Sequence, residues 1–341
     1  MKSGRARLAR RLCFCSQGTL QATWLFTLAL SCSRAPESRD RERPSSSAVA
    51  SATVSPPRLD AGAPALLYLP DGGDTVQFGA APELLPGMPT ASSRCPAEMV
   101  DVRGRFCIDR YEAMLVDQRE GRRLSPYYHP TRAQTAASFK DWSRSAQGAP
   151  LSVPPPPDFQ LSEDFEPRAE SHPSVTPSGY LSGNLAELAC RNAGKRLCTL
   201  DEWVLACRGQ GGHKYPYGDR YDEGRCNVFR EGHPAQILHH DASSGHLDPR
   251  LNLVDGANGP LLRKTGATES CKSAWGGDAI YDMVGNLDEW VDAPVGAFLG
   301  GFYARSTREG CDSKISSHPR SYFDYSLGTR CCREPGRPEG R

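Results

Sequence analysis

The stretch GKRLCTLDEWVLACRG, residues 194–209, contains a complete helix with both of its ends marked. Thr199 and Glu202 have the spacing of a capping box, in which each side chain accepts a hydrogen bond from the other residue's backbone N–H. Gly209 provides the C-terminal stop. The preceding stretch SGNLAELACRNAG (182–194) has the same form and ends at Gly194. We therefore predict two short helices joined by a few residues.

Outside these helices, the sequence predicts few regular elements. GRFCIDRYEAMLV (104–116) is predicted to be one strand entered through a glycine turn. LSVPPPPDFQ (151–160) is expected to be an extended loop, because proline has no backbone N–H to donate to a sheet. Between residues 209 and 294, Gly, Asn, Asp and Pro dominate, so little regular structure is expected there. With 33 Gly and 28 Pro in 341 residues, the chain suits a loop-rich fold and not a helical bundle.

The first residues are typical of an export signal. MKSGRARLARR is basic, and LQATWLFTLALSC (20–32) is an apolar stretch too short to span a bilayer comfortably. Its end, Leu-Ala-Leu-Ser-Cys, resembles a bacterial lipobox. We expect residues 1–31 to be removed and Cys32 to receive lipid, which would anchor the protein in the cell envelope, at the outer membrane or the periplasmic face. The alternative is an ordinary signal peptide in which Cys32 is incidental.

Composition divides the rest of the chain. Residues 32–93 are rich in Ser, Pro and Ala and are predicted to form a tether that cannot bury enough apolar surface to fold. The folded domain is predicted over residues 94–334, with a polar tail at 335–341. Without the five basic residues of 1–31, the chain has 36 basic and 40 acidic side chains. It therefore lacks the excess of positive charge that is expected of a nucleic-acid-binding protein.

Ten cysteines fall in the predicted domain. An even number in an exported chain favours disulfides. Structural zinc is disfavoured because no CxxC pair occurs. The ten are Cys95, Cys107, Cys190, Cys198, Cys207, Cys226, Cys271, Cys311, Cys331 and Cys332.

An ordered series of motifs resembles the formylglycine-generating enzyme (sulfatase-modifying factor) family. GKRLCTLDEWVLACRG is followed by YPYGD (215–219), CNV (226–228), YDMVGNLDEW (281–290), GGFY (300–303) and LGTRCC (327–332). The resemblance covers roughly residues 95–332 and implies an α+β fold related to C-type lectins, with little regular secondary structure. Enzymes of this family oxidise a cysteine of a sulfatase to formylglycine with O₂ and copper(I), and they commonly hold structural calcium.

The resemblance also implies two calcium sites. Asp282 and Glu289, with the backbone carbonyls of Gly285 and Leu287, match the first, and such oxygen ligands suit Ca²⁺. Asn227, the Val228 carbonyl and Asp241 keep the spacing of the second. The alternative for both stretches is that Asn and Asp cap the backbone of their own turns.

The copper site of the family is incomplete in this chain. Family oxidases carry a Gly-Gly-Ser segment followed by two cysteines five residues apart, which bind copper(I) as soft thiolates. Counted from Gly300, the serine position holds Phe302, and the cysteine positions hold Arg305 and Gly310. Cys311 lies one residue further on and has no partner thiol. We therefore expect no copper and no oxidase chemistry. The alternative is an active oxidase with a rearranged site that uses Cys311.

The resemblance implies two bridges, Cys190–Cys331 and Cys207–Cys311. For the other six cysteines, proximity in sequence suggests Cys95–Cys107, Cys198–Cys332 and Cys226–Cys271. On this basis we expect a membrane-anchored binding or regulatory module for an envelope protein, a peptide or a glycan. Tyr303, Tyr322, Phe323 and Tyr325 flank the former active-site segment and are candidates either for a remodelled pocket or for packed core.

Overall fold

A computed structural model describes residues 94–230, 232–305 and 308–336. The predicted signal peptide, the tether, Cys32 and residues 337–341 of the predicted tail lie outside these residues. Among the described residues, no helix is long and apolar enough to cross a membrane.

The described residues contain five α-helices. These are α1 (Arg132–Ser145), α2 (Asp158–Ser162), α3 (Gly183–Asn192), α4 (Leu200–Arg208) and α5 (Pro234–His239). Both predicted helices are present. Thr199 and Glu202 form the reciprocal capping box of α4, and the Ser182 side chain accepts a hydrogen bond from Leu185 N–H at the start of α3. A glycine with positive φ follows each of these two helices, Gly194 after α3 with φ of 67° and Gly209 after α4 with φ of 66°.

The described residues also contain fourteen short strands. They are β1 (Met99–Val102), β2 (Phe106–Asp109), β3 (Ala113–Asp117), β4 (Pro167–Ser171), β5 (Arg196–Leu197), β6 (Asp255–Gly256), β7 (Gly259–Pro260), β8 (Lys272–Trp275), β9 (Asp278–Tyr281), β10 (Asp288–Val291), β11 (Ala297–Leu299), β12 (Lys314–Ile315), β13 (Leu327–Thr329) and β14 (Cys331–Arg333).

Two four-stranded sheets organise the domain. One has the order β1-β2-β14-β5, so the last strand is inserted between strands from the beginning and the middle of the domain. The other has the order β12-β11-β10-β13, in which β10 and β13 are parallel and the other pairs antiparallel. Strands β3–β4, β6–β7 and β8–β9 form three separate pairs. This is a mixed α+β arrangement with long connecting loops.

Three sequence predictions need correction. The single strand predicted over 104–116 is two strands, β2 and β3, which belong to different sheets because the chain turns at residues 110–112. The loop after Pro157 continues as α2, with this proline as its N-cap. The region expected to be irregular contains the β8–β9 hairpin, which closes through Gly276 and Gly277. The sequence analysis also did not identify α1.

Five disulfides join the ten cysteines of the domain. They are Cys95–Cys107, Cys190–Cys331, Cys198–Cys332, Cys207–Cys311 and Cys226–Cys271. These are the pairs stated from the sequence. The adjacent cysteines of β14 connect that strand both to α3 and to the residue after β5.

The largest fully buried side chains include Trp203 of α4, Trp290 of β10 and Arg330. Trp290 packs edge-on against Phe298, with ring centroids 5.0 Å apart. The loop between β9 and β10 and the segment after β11 both lie in or beside this core, and they contain the residues for which the sequence predicts function.

Candidate functional site

Arg305 occupies the first cysteine position of the family's copper pair and forms an ion pair with Asp288. Its Nη2 lies 2.7 Å from Asp288 Oδ1, which also accepts a hydrogen bond from the Gly301 N–H at 2.9 Å. The Asp288 side chain is 1% exposed. Burial raises the pKa of Asp288 to about 7, while the charge of Arg305 opposes this increase. A guanidinium therefore supplies the positive charge at this position.

Phe302, at the serine position of the family, is packed and not open to solvent. Its ring meets Tyr303, Tyr325 and His233 edge-on, with centroid distances of 5.3, 5.6 and 6.2 Å. The Tyr303 hydroxyl donates to Asn252 Oδ1 at 2.9 Å, and the Tyr325 hydroxyl lies 3.0 Å from His233 Nε2. Tyr303 and Tyr325 are thus part of the core. This agrees with the packed-core alternative and not with a remodelled pocket. An aromatic cluster fills this position.

Gly310, at the second cysteine position, has no space for a side chain. Its φ is +61°, and a Cβ built on it would lie 2.4 Å from the carbonyl oxygen of Lys214 and 2.8 Å from the ring of Tyr215. A cysteine at this position would collide with backbone.

The next residue, Cys311, is bonded to Cys207 and is 0% exposed. The oxidase alternative required Cys311 as a reactive thiol. In the structure Cys311 is half of a disulfide and presents no free thiol for that chemistry.

The predicted first calcium loop has an unusual backbone. Asp282, Gly285 and Asn286 have φ values of 58°, 86° and 61°. A Cβ on Gly285 would meet the carbonyl oxygen of Asn227 at 2.4 Å, so this close approach requires glycine. The loop therefore packs directly against the predicted second calcium segment.

Glu289 is a predicted calcium ligand, but both of its carboxylate oxygens already accept hydrogen bonds from other side chains. Arg330 approaches it with two nitrogens, Nη2 to Oε1 and Nε to Oε2, both at 2.7 Å. Trp203 Nε1 also donates to Oε2 at 2.7 Å. Glu289 and Arg330 are 1% and 0% exposed. The pair is a bidentate, fully buried salt bridge.

Two further buried carboxylates lie close to this pair. Asp282 Oδ2 accepts from the Gly266 N–H at 2.7 Å, and burial raises the pKa of Asp282 to about 7. Glu112 accepts from Asn286 Nδ2 at 2.6 Å and from the Leu287 N–H at 3.0 Å. Burial, with the charges of Asp282 and Glu289, raises the pKa of Glu112 well above its usual value. Of the two predicted carboxylate ligands, Asp282 accepts fewer protein hydrogen bonds than Glu289.

The second predicted calcium site is divided between core and surface. Asn227 is 1% exposed, and its Oδ1 has no hydrogen-bond partner among the described residues. Asp241 is exposed, and its carboxylate accepts hydrogen bonds from Ser243 N, Ser243 Oγ and Ser244 Oγ. Asp241 therefore caps its own turn, as the alternative interpretation states. In the described part of the chain, no three His, Cys, Asp or Glu side chains are grouped so as to hold a metal ion.

The partners of these predicted residues were not identified from the sequence. Asp288 follows Leu287 inside the motif YDMVGNLDEW, but nothing in the sequence connects it with Arg305. Glu112 belongs to the stretch interpreted as a single strand, and Arg330 lies in LGTRCC, which was considered for its cysteines. The sequence did contain one signal for these partners, a charged residue within each buried stretch. Such a residue indicates an ion pair, because a buried charge requires a partner.

The fold and this site define a disulfide-linked α+β domain of the formylglycine-generating enzyme type whose copper positions hold other side chains. Residues 71–334 match the model of the sulfatase-modifying factor enzyme 1-like domain, and the chain belongs to this family.

Two mammalian relatives share a name. The inactive C-alpha-formylglycine-generating enzyme 2 of Bos taurus is 28% identical over 182 residues, which cover 48% of this chain and 52% of the relative. The protein of the same name from Mus musculus is 26% identical over 327 residues, covering 84% of this chain and 92% of the relative. The chain thus spans about half the length of the bovine protein and most of the mouse protein.

Solved structures of CarF and of PvdO from Pseudomonas aeruginosa are also similar. Each is 13% identical with a TM-score of 0.32 and covers 67% of this chain; the matches span 86% of CarF and 80% of PvdO. At this level of similarity neither structure supports a functional argument.

Proposed function

We propose that this chain is a non-catalytic member of its family that acts as a binding or regulatory module, held at a bacterial envelope membrane through lipidated Cys32. The observation that carries the proposal is the Arg305–Asp288 ion pair at the first copper position. A positive charge there repels a copper ion, and Cys311 is committed to Cys207. The name of the two relatives, which describes them as inactive, supports the same conclusion.

The first test is a thiol count combined with copper(I) titration. The purified chain is alkylated under denaturing conditions without reductant, and its intact mass is measured. We expect no label on the ten domain cysteines and no stoichiometric copper(I) binding. The same chain after reduction is the positive control, because its freed thiolates bind copper(I). A label mapped to Cys311, or tight one-to-one copper binding before reduction, would contradict the proposal and favour the oxidase alternative.

A second test addresses the chemistry directly. A cysteine-containing peptide is incubated with the chain, copper and a reductant, and O₂ consumption and peptide mass are followed. We expect no loss of peptide thiol above a control without protein. Turnover to an aldehyde-containing peptide contradicts the proposal.

Membrane attachment is proposed from the lipobox-like stretch ending at Cys32. We expect the expressed protein to fractionate with membranes and its N-terminal peptide to carry acyl chains. Cys32→Ala should release the protein into the soluble fraction, whereas Cys15→Ala, within the predicted signal peptide, should leave it attached. Equal fractionation of both variants contradicts lipid anchoring. A module anchored in this way would be positioned to bind an envelope protein, a peptide or a glycan.

Structural calcium is proposed on two observations. Asp282 is a buried carboxylate whose charged form a cation would stabilise, and Asn227 Oδ1 is a buried acceptor without a partner among the described residues. The sites fit only in part, since Arg330 already engages Glu289 and Asp241 binds its own turn. Calcium bound by Asp282 and the carbonyls of Gly285 and Leu287 would hold the loop before β10.

The calcium proposal is tested by thermal unfolding. After treatment with a chelator, adding calcium at about 1 mM, the range of extracellular calcium modules, should raise the Tm, while magnesium should not. Asp282→Asn should abolish the increase, and the exposed Asp312→Asn should retain it. An unchanged Tm in the wild-type protein contradicts calcium binding.

A further inference from the structure

A small pocket lies between one face of α1 and a group of rings packed beside it. Its volume is about 160 Å³. The residues from α1 follow helical spacing, which places them on a single face. They are Gln134, Ala137, Ser138, Asp141 and Trp142, and the opposite wall consists of His129, Tyr180, Leu247 and Phe323. Phe323, one of the four flanking aromatics, lines this pocket.

Four of the nine lining residues carry aromatic rings. The His129 and Phe323 rings are in contact, with centroids 4.1 Å apart. Trp142 is half-buried, and its ring lies 5.5 Å from that of His239. Tyr180 is 2% exposed and donates its hydroxyl to the Asp248 carbonyl, so its ring position is fixed. The faces of such rings carry partial negative charge and attract cations.

The charged side chain in the pocket lining is also negative, like the ring faces. Asp141 is exposed and makes no ion pair with any residue that the structure describes. Burial lowers the pKa of His129 to about 4, so this ring is neutral at pH 7. At neutral pH, Asp141 is therefore the only charged side chain in the lining. An acidic group at the edge of an aromatic pocket complements a positive ligand.

We propose that this pocket binds an organic cation, of the ammonium or guanidinium type, through its aromatic walls and the Asp141 carboxylate. The volume is well below the roughly 300 Å³ at which pockets for whole small molecules begin. It therefore suits one cationic head group, either of a small molecule or at the end of a partner's side chain. The proposal does not depend on whether the chain binds copper, since the pocket contains neither Arg305 nor Cys311.

The test is an NMR titration of the purified chain with three probes. Choline represents a quaternary ammonium group and n-butylguanidinium an arginine side chain, while 3,3-dimethylbutan-1-ol has the shape of choline without its charge. The indole resonance of Trp142 is identified as the one lost in Trp142→Phe. We expect one or both cations to shift this resonance saturably, and the neutral alcohol to bind at least about tenfold more weakly because it lacks both electrostatic contributions. The stronger cation identifies the chemical class of the head group, quaternary ammonium or guanidinium.

Variants distinguish the pocket from non-specific binding. Asp141→Asn should weaken cation binding about threefold, as expected for loss of a solvent-exposed ion pair. Asp201→Asn, which removes an equally exposed carboxylate from α4, should leave it unchanged. Thermal unfolding of each variant verifies that it is folded. Equal binding of choline and the neutral alcohol, or no shift of the Trp142 resonance with either cation, would overturn the proposal without affecting the proposed loss of oxidase chemistry.

Discussion

The guanidinium of Arg305 and the carboxylate of Asp288 lie 2.7 Å apart, Nη2 to Oδ1. Asp288 is 1% exposed, and among the described residues its second oxygen, Oδ2, has no hydrogen-bond partner. This carboxylate therefore depends on Arg305 for its counter-charge. In the position where the family's oxidases have their first copper thiolate, this chain has a cation paired with a buried carboxylate.

Replacing Arg305 should destabilise the domain. Arg305→Met leaves a buried carboxylate without its cation, and at about pH 9, where Asp288 is ionised in the wild-type protein, we expect a loss of about 2–4 kcal/mol in the free energy of unfolding, measured by urea denaturation. Arg305→Met combined with Asp288→Asn should recover part of this loss, because no unpaired charge remains. Arg191→Met, which removes an exposed arginine, is the control and should change stability by less than about 0.5 kcal/mol. Full stability of Arg305→Met contradicts the assignment.

Gly310→Ala tests whether the second copper position can hold a side chain. The new Cβ would lie 2.4 Å from the Lys214 carbonyl oxygen in a left-handed conformation, so we expect a loss of about 2–4 kcal/mol by the same measurement. Gly212→Ala is a matched control, because Gly212 has a similar φ of +70° with nothing within 4 Å. It should cost only about 1 kcal/mol, from the left-handed backbone alone. Equal losses would show that the loop moves to make room.

Glu289→Gln should be among the most destabilising single substitutions. It removes the partner of Arg330, whose side chain is 0% exposed, and breaking such a buried pair costs about 3–5 kcal/mol. Asp312→Asn removes the partner of Arg208 in an exposed pair and should cost no more than about 1 kcal/mol. Chemical denaturation of the two variants provides the comparison. Similar losses contradict the structural role given to Glu289.

Two disulfides of different loop length should contribute unequally to stability. Replacing Cys226 and Cys271 by alanine opens a loop of sequence separation 45, whereas replacing Cys95 and Cys107 opens one of separation 12. In the chain-entropy description, the longer loop contributes about 1 kcal/mol more. Denaturation of the two double variants measures the difference. A greater loss for the Cys95–Cys107 pair would contradict the prediction.

His129 should make the domain less stable in acid. Burial lowers its pKa from 6.5 to about 4, so between these values the unfolded chain binds a proton that the folded chain does not. The contribution is fully present above pH 6.5 and is lost as the pH falls toward 4, by about 3–4 kcal/mol in total. His129→Phe should flatten the dependence of unfolding free energy on pH in this window, and the exposed His240→Gln should not. A slope unchanged by His129→Phe contradicts the prediction.

Local rules were sufficient for part of the fold. The capping box of Thr199 and Glu202 and the stop at Gly194 depend on residues within a few positions of one another, and both helices occur where predicted. The ordered motifs led to the family, which residues 71–334 match. By contrast, α1 has no N-cap side-chain hydrogen bond and only Thr135 buried, so its sequence lacks the usual signals.

The candidate site was predictable only in outline. Counting from Gly300 shows that Arg305 and Gly310 replace the two cysteines, which needs no structure. The pairing of Arg305 with Asp288, the saturation of Glu289 by Arg330 and the closed space at Gly310 each depend on contacts between segments distant in sequence. Such contacts follow from the packing of sheets and loops, and no local pattern encodes them.

The position of β14 has a consequence for how the protein is made. A ribosome delivers Cys190 and Cys198 more than 130 residues before their partners, Cys331 and Cys332. Until then, the thiols nearest to them are incorrect partners, and bridges formed early must be exchanged by thiolate attack. The native bridges of α3 and of the residue after β5 therefore cannot be completed before the last strand is available, and a chain truncated before Cys331 would lack the native partners of Cys190 and Cys198.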